Sequence, residues 1–347
     1  MSLKYGLVLD SVFLQHLVPK DHPERPERIE SIIQHIRSWT GSERLITVAP
    51  IDADPEWIRQ VHTPDHFSTI HRTDGAMPKA LDWDTHAGGR SFEIAMLAAG
   101  SVVRMIELLF AGEIETGFAA IRPPGQHAET TKAMGFCLFN NIAVGAEWAR
   151  RQGLAERVAV VDFDVHHGNG TQEIFYRRPD VLYLSSHQYP FYPGTGSQTE
   201  LGDGEGVGFT VNFPIVAGMG NHFFCSLFQD LAGPVLRAFE PDLILVSAGY
   251  DAHRDDPLGG MRLDQAGFGE LVRQLNSLAE ELCQGRILYV LEGGYDLKTL
   301  GQSVLSTVRI SLDPTKEEIE PTQAREYESY RQRLSRVLSP HWALPDF

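Results

Sequence analysis

Cysteine is scarce in this chain of 347 residues: Cys137, Cys225 and Cys283 are the only three, and none forms a C-x-x-C pair. An odd, widely spaced set excludes a disulfide framework and a cysteine zinc site, and it fits a reducing compartment. Positive charge is short as well, with 30 Lys and Arg against 46 Asp and Glu and a net charge of -16. A nucleic-acid groove depends on clustered cations that release phosphate counterions, so that class is excluded. An acidic surface suits a cationic ligand instead, through the field of the whole protein. No apolar run approaches the roughly 18–20 residues of a membrane span, and Met1 to Asp10 holds no basic segment followed by a long apolar stretch. The expectation is a cytoplasmic protein that binds neither nucleic acid nor membrane. Repeats, low-complexity tracts and linkers are also missing. One domain is therefore expected over residues 1–312, with a helical tail over 313–347 packed on it or extending it. The charged stretch Lys316 to Leu338 reads as a solvated helix face.

What is present is an alternation of short β-branched runs and longer amphipathic ones, the mark of βαβ units that build an open, mostly parallel sheet with helices on both faces. The candidate strands are Leu3–Leu9, Gly117–Ile121, Arg157–Asp162, Val181–Ser185, Phe209–Asn212, Leu243–Ser247 and Arg286–Leu291. Apolar residues at three- and four-residue spacing predict helices over Phe92–Phe110, Asn140–Arg151, Phe223–Ala238 and Gln265–Leu282. In such sheets ligands bind beyond the carboxyl ends of the strands. Polar residues of catalytic type gather there, in Pro123–Glu129, Asp162–Gly170, His187–Gly196, Gly249–Leu258 and Glu292–Tyr295.

The apolar strand that starts at Val158 runs straight into Asp162, Asp164, His166 and His167. Burying carboxylates costs several kcal/mol unless they are paired or bound to metal. Side chains two apart at a strand end point the same way, so Asp164 and His166 can face one ion together. A second apolar strand, Leu243 to Ser247, ends in Ala-Gly-Tyr-Asp251 and supplies a third ligand. Two carboxylates and one imidazole with a coordination position left for water form a catalytic metal site. Zinc is the first choice, and Fe(II), Co(II) or Mn(II) fits the same donors.

Six motifs extend this pattern: Arg122-Pro-Pro-Gly-Gln-His-Ala128, Gly135-Phe-Cys-Leu-Phe-Asn-Asn141, Asp162-Phe-Asp-Val-His-His-Gly-Asn-Gly-Thr-Gln172, Tyr192-Pro-Gly-Thr-Gly196, Ala248-Gly-Tyr-Asp251 and Leu291-Glu-Gly-Gly-Tyr295. With His22-Pro-Glu-Arg-Pro-Glu-Arg28, and in this order over roughly residues 3–310, the chain resembles the histone deacetylase superfamily, and most closely its class II and bacterial acetylpolyamine amidohydrolase members. The resemblance implies the arginase–deacetylase fold and hydrolysis of an N-acetyl amide on a lysine-like or polyamine amine. It implies that Asp164, His166 and Asp251 hold zinc, that Tyr295 polarises the substrate carbonyl and that His127 is the general base and acid. Phe136 and Tyr192 would wall the acyl-lysine tunnel, with Gly135 and Leu258 beside the substrate and Arg28 on an acetate channel. Asn169 would pair with His127. A structural K⁺ is implied at Asp162, Asp164, His166 and Ser185, and a second at Phe175, Arg178, Val181 and Phe209.

The chain departs from the family pattern at Gln126, where the family usually has the first of two adjacent histidines. Glutamine cannot titrate near neutrality, so the role of that histidine beside a carboxylate such as Asp162 is altered. Slower or more selective hydrolysis is expected. At Leu258 some polyamine deacetylases carry an acid, so leucine points to a mouth less selective for charge, with Asp82 and Asp84 in the loop Ala76–Gly89 as rim carboxylates. Two rivals stand beside this reading. One is a ureohydrolase on the same fold, disfavoured by Gly168 and His253 where aspartates are wanted; the other is a metal-containing binding protein with weakened turnover. Met77–Trp83 and Trp342–Phe347 are candidates for a homomeric contact.

Overall fold

The computed structural model describes residues 3–314 and 324–344. Eight parallel strands form its main sheet: β1 (Tyr5–Leu9), β2 (Leu45–Thr47), β3 (Thr116–Ala120), β4 (Val158–Asp162), β5 (Val181–Gln188), β6 (Thr210–Ile215), β7 (Leu243–Ala248) and β8 (Ile287–Leu291). Their order is β2-β1-β3-β8-β7-β4-β5-β6. Every residue of β3, β4, β5, β7 and β8 is buried. A parallel sheet buried on both faces has near-continuous apolar strands, which is why these five were legible in the sequence. Strand β2 was not expected. It has three residues at the sheet edge, two of them exposed, and carries too little pattern to be read.

Helices cover the sheet in two groups. Ser91–Phe110 packs on Asn141–Arg151, while Glu27–Ser38 packs on Leu297–Leu312 and the latter on Gln265–Cys283. The expected helix Phe223–Ala238 is three joined segments, Asn221–Leu227, a wide turn Phe228–Ala232 and Gly233–Phe239. The helices Glu27–Ser38 and Leu297–Leu312 were not expected, although the first buries Ile29, Ile32 and Ile36 at helical spacing and the second is capped by Asp296, whose carboxylate accepts from Thr299 N at 2.9 Å.

The tail corrects the solvated-face reading. Helix Arg325–Leu338 buries Tyr327, Tyr330, Leu334 and Leu338. That apolar stripe at three- and four-residue spacing is hidden in a sequence dominated by charge. Trp342 is buried too, donating its indole N–H to the Gly208 carbonyl at 2.9 Å and packing on Phe209 and Phe239. It therefore serves the fold, whereas Met77 and Trp83 stay exposed. The expected helix start at Lys316 and the chain end from 345 lie outside the described residues. Among the described residues no helix is long and apolar enough to cross a membrane.

Candidate active site

The four neighbouring strands β3, β8, β7 and β4 run parallel, so their carboxyl ends discharge side by side at the middle of the sheet. The loops that follow carry Gln126 and His127, then Glu292 to Tyr295, then Asp251, then Asp164 and His166. Sequence separations of more than a hundred residues collapse here to hydrogen-bond distance. His166 Nδ1 lies 3.2 Å from Asp164 Oδ1 and 3.1 Å from Asp251 Oδ2. One ligand atom from each of these three buried residues falls within 4.8 Å of the others.

Backbone donors aim the carboxylates. Asp164 Oδ2 accepts from Gly293 N at 2.8 Å, and Asp251 Oδ1 accepts from Val165 N at 2.9 Å. A side chain at Gly293 or Gly249 would collide with Asp164 Oδ2, and one at Gly293 with Asp251 Oδ2 as well, which accounts for glycine there. Burial raises both carboxyls; the His166 imidazolium holds Asp164 low, and the charge of Asp164 leaves Asp251 high. Burial opposes charge on His166, yet the two carboxylates drive its pKa up to about 10. The cluster thus calls for a cation, and its donors fit a divalent ion with positions to spare.

His127 faces this cluster, its ring centroid 6.0 Å from that of His166. Burial first, and His166 second, lower its pKa to about 4, so it is a neutral imidazole. Its Nδ1 lies 2.8 Å from Asn169 Oδ1. Gly135, at φ 56°, is pressed against the His127 ring where any side chain would collide, and Phe136 follows at φ 68° with its N–H on Thr85 Oγ1 at 3.0 Å. Gln126 is buried, and its Oε1 has no partner. Asp162 is not bonded to it: Asp162 Oδ2 accepts from Tyr183 Oη at 2.9 Å and Oδ1 from Asp164 N at 3.1 Å.

A cavity of about 630 Å³ opens above the cluster, lined by His127, Gly135, Phe136, His166, Tyr192, Leu258 and Tyr295 among the expected residues. Its aromatic walls are close. Phe136 meets Tyr295 edge-on at 5.8 Å, Tyr192 meets His127 at 5.3 Å, and Phe191 stacks on His166 at 5.4 Å. Asp84 lines it at the rim, whereas Asp82 pairs with Lys132 at 3.0 Å. The expected ion residues fall in two places. Ser185 pairs with Asp162 across β4 and β5, while Arg178 N donates to the Phe175 carbonyl at 2.9 Å and Tyr183 N to that of Phe209 at 2.9 Å, close to where Val181 opens β5. Arg28 is buried under the Tyr295 loop, donating to the carbonyls of Gly294 at 2.7 Å and Glu292 at 2.5 Å.

Several residues escaped the sequence reading. Asp256 ties the Leu258 loop to Tyr295, accepting from Leu258 N at 2.9 Å and Tyr295 N at 2.6 Å. Glu292, pushed up to about 8 by burial, accepts from Gly125 N at 2.7 Å and Gln126 N at 3.1 Å. Glu24 and Glu129 hold other groups of the site, and His22, His86 and Phe191 line the cavity. Each is a polar or aromatic residue inside a loop already marked as functional, and nothing in the sequence separates them from their neighbours.

Residues 22–311 match the histone deacetylase domain model. The chain is 39% identical to a probable deacetylase of Archaeoglobus fulgidus, with 84% of this chain and 82% of that protein covered. It is 38% identical to histone deacetylase 5 of Arabidopsis thaliana over 94% of this chain, and 38% identical to histone deacetylase 15 of the same plant over 84% of this chain; it spans about half the length of each, 51% and 53%. The crystal structure of the HDA15 HD domain superposes with a TM-score of 0.90 at 34% identity, covering 98% of this chain and 95% of that one.

Proposed function

This chain belongs to the histone deacetylase family and has the arginase–deacetylase fold, and from that premise we propose that it is a metal-dependent amidohydrolase removing an acetyl or other short acyl group from an amine such as acetyl-lysine or an acetylated polyamine. The observation that carries this reading is the convergence of a cation-demanding Asp164–His166–Asp251 cluster, a neutral His127 and Tyr295 on one aromatic-walled cavity.

Asp164, His166 and Asp251 would hold zinc by preference, with Fe(II), Co(II) or Mn(II) suiting the same donors. Such an ion supplies Lewis-acid polarisation of the amide oxygen and lowers the pKa of a water molecule. His127 takes one proton from the attacking water and returns it to the departing nitrogen. The hydroxyl ends on the acyl carbon, the C–N bond breaks, and a carboxylic acid and an amine leave. Burial keeps the Tyr295 phenol protonated, as required of a donor to the oxygen on which negative charge develops. Gln126 would help to hold the water, a role supported by its place next to His127 and by an Oε1 that lacks a protein partner. Phe136 and Tyr192 flank an aliphatic chain, Leu258 leaves the mouth without charge selection, and Asp84 takes an amine or amide N–H at the rim.

The reading includes a structural K⁺ at each expected ion site, supported at the first by the burial of Asp162 beside Asp164 and Ser185. It includes no nucleic-acid partner, supported by the net charge of -16. A reducing compartment is supported by three free, buried cysteines, and since two relatives carry chloroplast names the cytoplasm is one such compartment among others. A glutamine at 126, which cannot titrate near neutrality, also favours a second reading, a metal-holding protein of weak turnover. One panel separates the two: acetate release by metal-loaded protein from acetyl-lysine peptides, acetylpolyamines and short acylated amines. No release from any of them with metal bound sinks the deacetylase reading.

A further inference from the structure

We propose that Glu129 is a positioning residue that sets which nitrogen of His127 carries the proton, acting through Asn169. The inference rests on the hydrolytic reading above, in which His127 is the base. Asn169 Nδ2 lies 2.7 Å from Glu129 Oε1 and 3.4 Å from Met134 Sδ. Both neighbours are acceptors, so the group facing them must be the amide nitrogen, which can donate. Turning the amide over would set its oxygen against a carboxylate and a thioether. With that orientation imposed, Asn169 Oδ1 faces His127 Nδ1 at 2.8 Å, and the hydrogen between them can come only from the ring. A neutral imidazole protonated on Nδ1 has a bare Nε2, the nitrogen left to take a proton from water.

The backbone of Glu129 is itself held in place. The Glu129 backbone N–H donates to the Lys132 carbonyl at 2.9 Å, and its carbonyl accepts from His62 Nδ1 at 2.9 Å. His62 is fixed by the same logic, because Asn140 N donates to its Nε2 at 2.8 Å and so leaves the proton on Nδ1. Asn140 in turn caps helix Asn141–Arg151, its Oδ1 accepting from Ala143 N at 3.1 Å. The segment that carries Glu129 is therefore anchored through His62 to the start of that helix. An asparagine alone would satisfy His127 in either orientation, and Gln126 cannot titrate beside it. The correct tautomer thus depends on one imidazole and on the carboxylate behind its partner.

The test uses the full-length, zinc-loaded protein with isotope-labelled histidine, read by long-range proton–nitrogen spectra near neutral pH, with the His127 signals assigned by their loss in His127→Gln. The expected result is a protonated Nδ1 and bare Nε2 in the wild type. In Glu129→Leu, which takes the acceptor away, the ring should pass to the Nε2–H form or a mixture, with kcat falling about 10–100-fold, the range seen on removing outer partners of site histidines, and KM little changed. Adding Asn169→Asp to Glu129→Leu should return the Nδ1–H form, since a carboxylate then faces the ring whichever way it turns. A protonated Nε2 in the wild type, or a tautomer unmoved by Glu129→Leu, overturns the proposal even if hydrolysis is robust. A wild type that shows the expected ring and releases no acetate overturns the functional reading alone.

Discussion

Among the described residues, two clusters of buried charge are joined by the loop that carries Tyr295, and they are built oppositely. In the first, Glu24 lies between Arg28 and Arg122, all three fully buried. Glu24 Oε1 accepts from both guanidiniums and Oε2 from Arg122 Nη2 at 2.8 Å; the remaining donors go to the carbonyls of Phe13, His16, Glu292 and Gly294. The two arginines hold Glu24 well below the usual carboxylate range against burial, and burial with Arg122 lowers His16 to about 3. Each charge there has its partner inside the protein. In the second cluster two carboxylates face one imidazole, and their ligand atoms converge at the base of a cavity. A closed network stabilises a loop, whereas an open one with excess negative charge is shaped to receive a cation.

Asp251→Asn should break the open cluster most severely. It removes a ligand, so metal affinity should fall by more than the roughly 10–100-fold that loss of an outer partner costs, and hydrolysis should vanish while the folded protein persists. Wild-type metal content in that variant, measured by elemental analysis after dialysis, would erase the distinction between the clusters. Next in size, Glu24→Gln leaves two buried guanidiniums without their anion and should cost about 3–5 kcal/mol in urea unfolding, with the metal-to-protein ratio of folded molecules unchanged. If stability is untouched, the first cluster is not the structural one.

The smallest effect concerns Gln126, next to His127, whose Oε1 has no partner. Gln126→His adds a titratable ring beside Asp162 and should change kcat by about an order of magnitude; equal turnover over several acyl substrates would remove any special role for Gln126. The pH profile sharpens this. In the proposed reaction neutral His127 is the base, and its pKa is lowered from 6.5 to about 4, so wild-type kcat/KM should persist as pH falls past 6.5 and be lost only towards about 4. A metal cation replacing the His166 imidazolium keeps the sign of that shift. The variant should gain a second acid limb nearer 6.5, and a wild-type limb already at 6.5 would show that burial does not depress His127.

The grouping of Asp164, His166 and Asp251 was legible in the sequence because each follows closely on an apolar strand, where an Asp or His is carried into the interior and must be paired or bound to a cation. Phe136, Tyr192 and Tyr295 were legible only through motifs, since an aromatic residue has the same signature in a core and in a pocket wall. The tail helix was misread where charge masked the stripe of Tyr327, Tyr330, Leu334 and Leu338. Glu24, Glu129, Asp256 and Glu292 were passed over for a different reason. Their roles are defined by what they touch, and Glu24 touches Arg122 across 98 positions of the chain.

Composition by itself determined the acidic, cysteine-poor character of the chain, and periodicity the parallel sheet and the strand ends where Asp164, His166 and Asp251 gather, because these depend on local patterns of burial. The tertiary structure alone decided that Asp162 turns to Tyr183 and away from Gln126, that Trp342 packs into the core, and that Glu129 orients Asn169 behind His127. Hydrogen-bond direction depends on which donor meets which acceptor across distant loops, and only the packed chain brings them together.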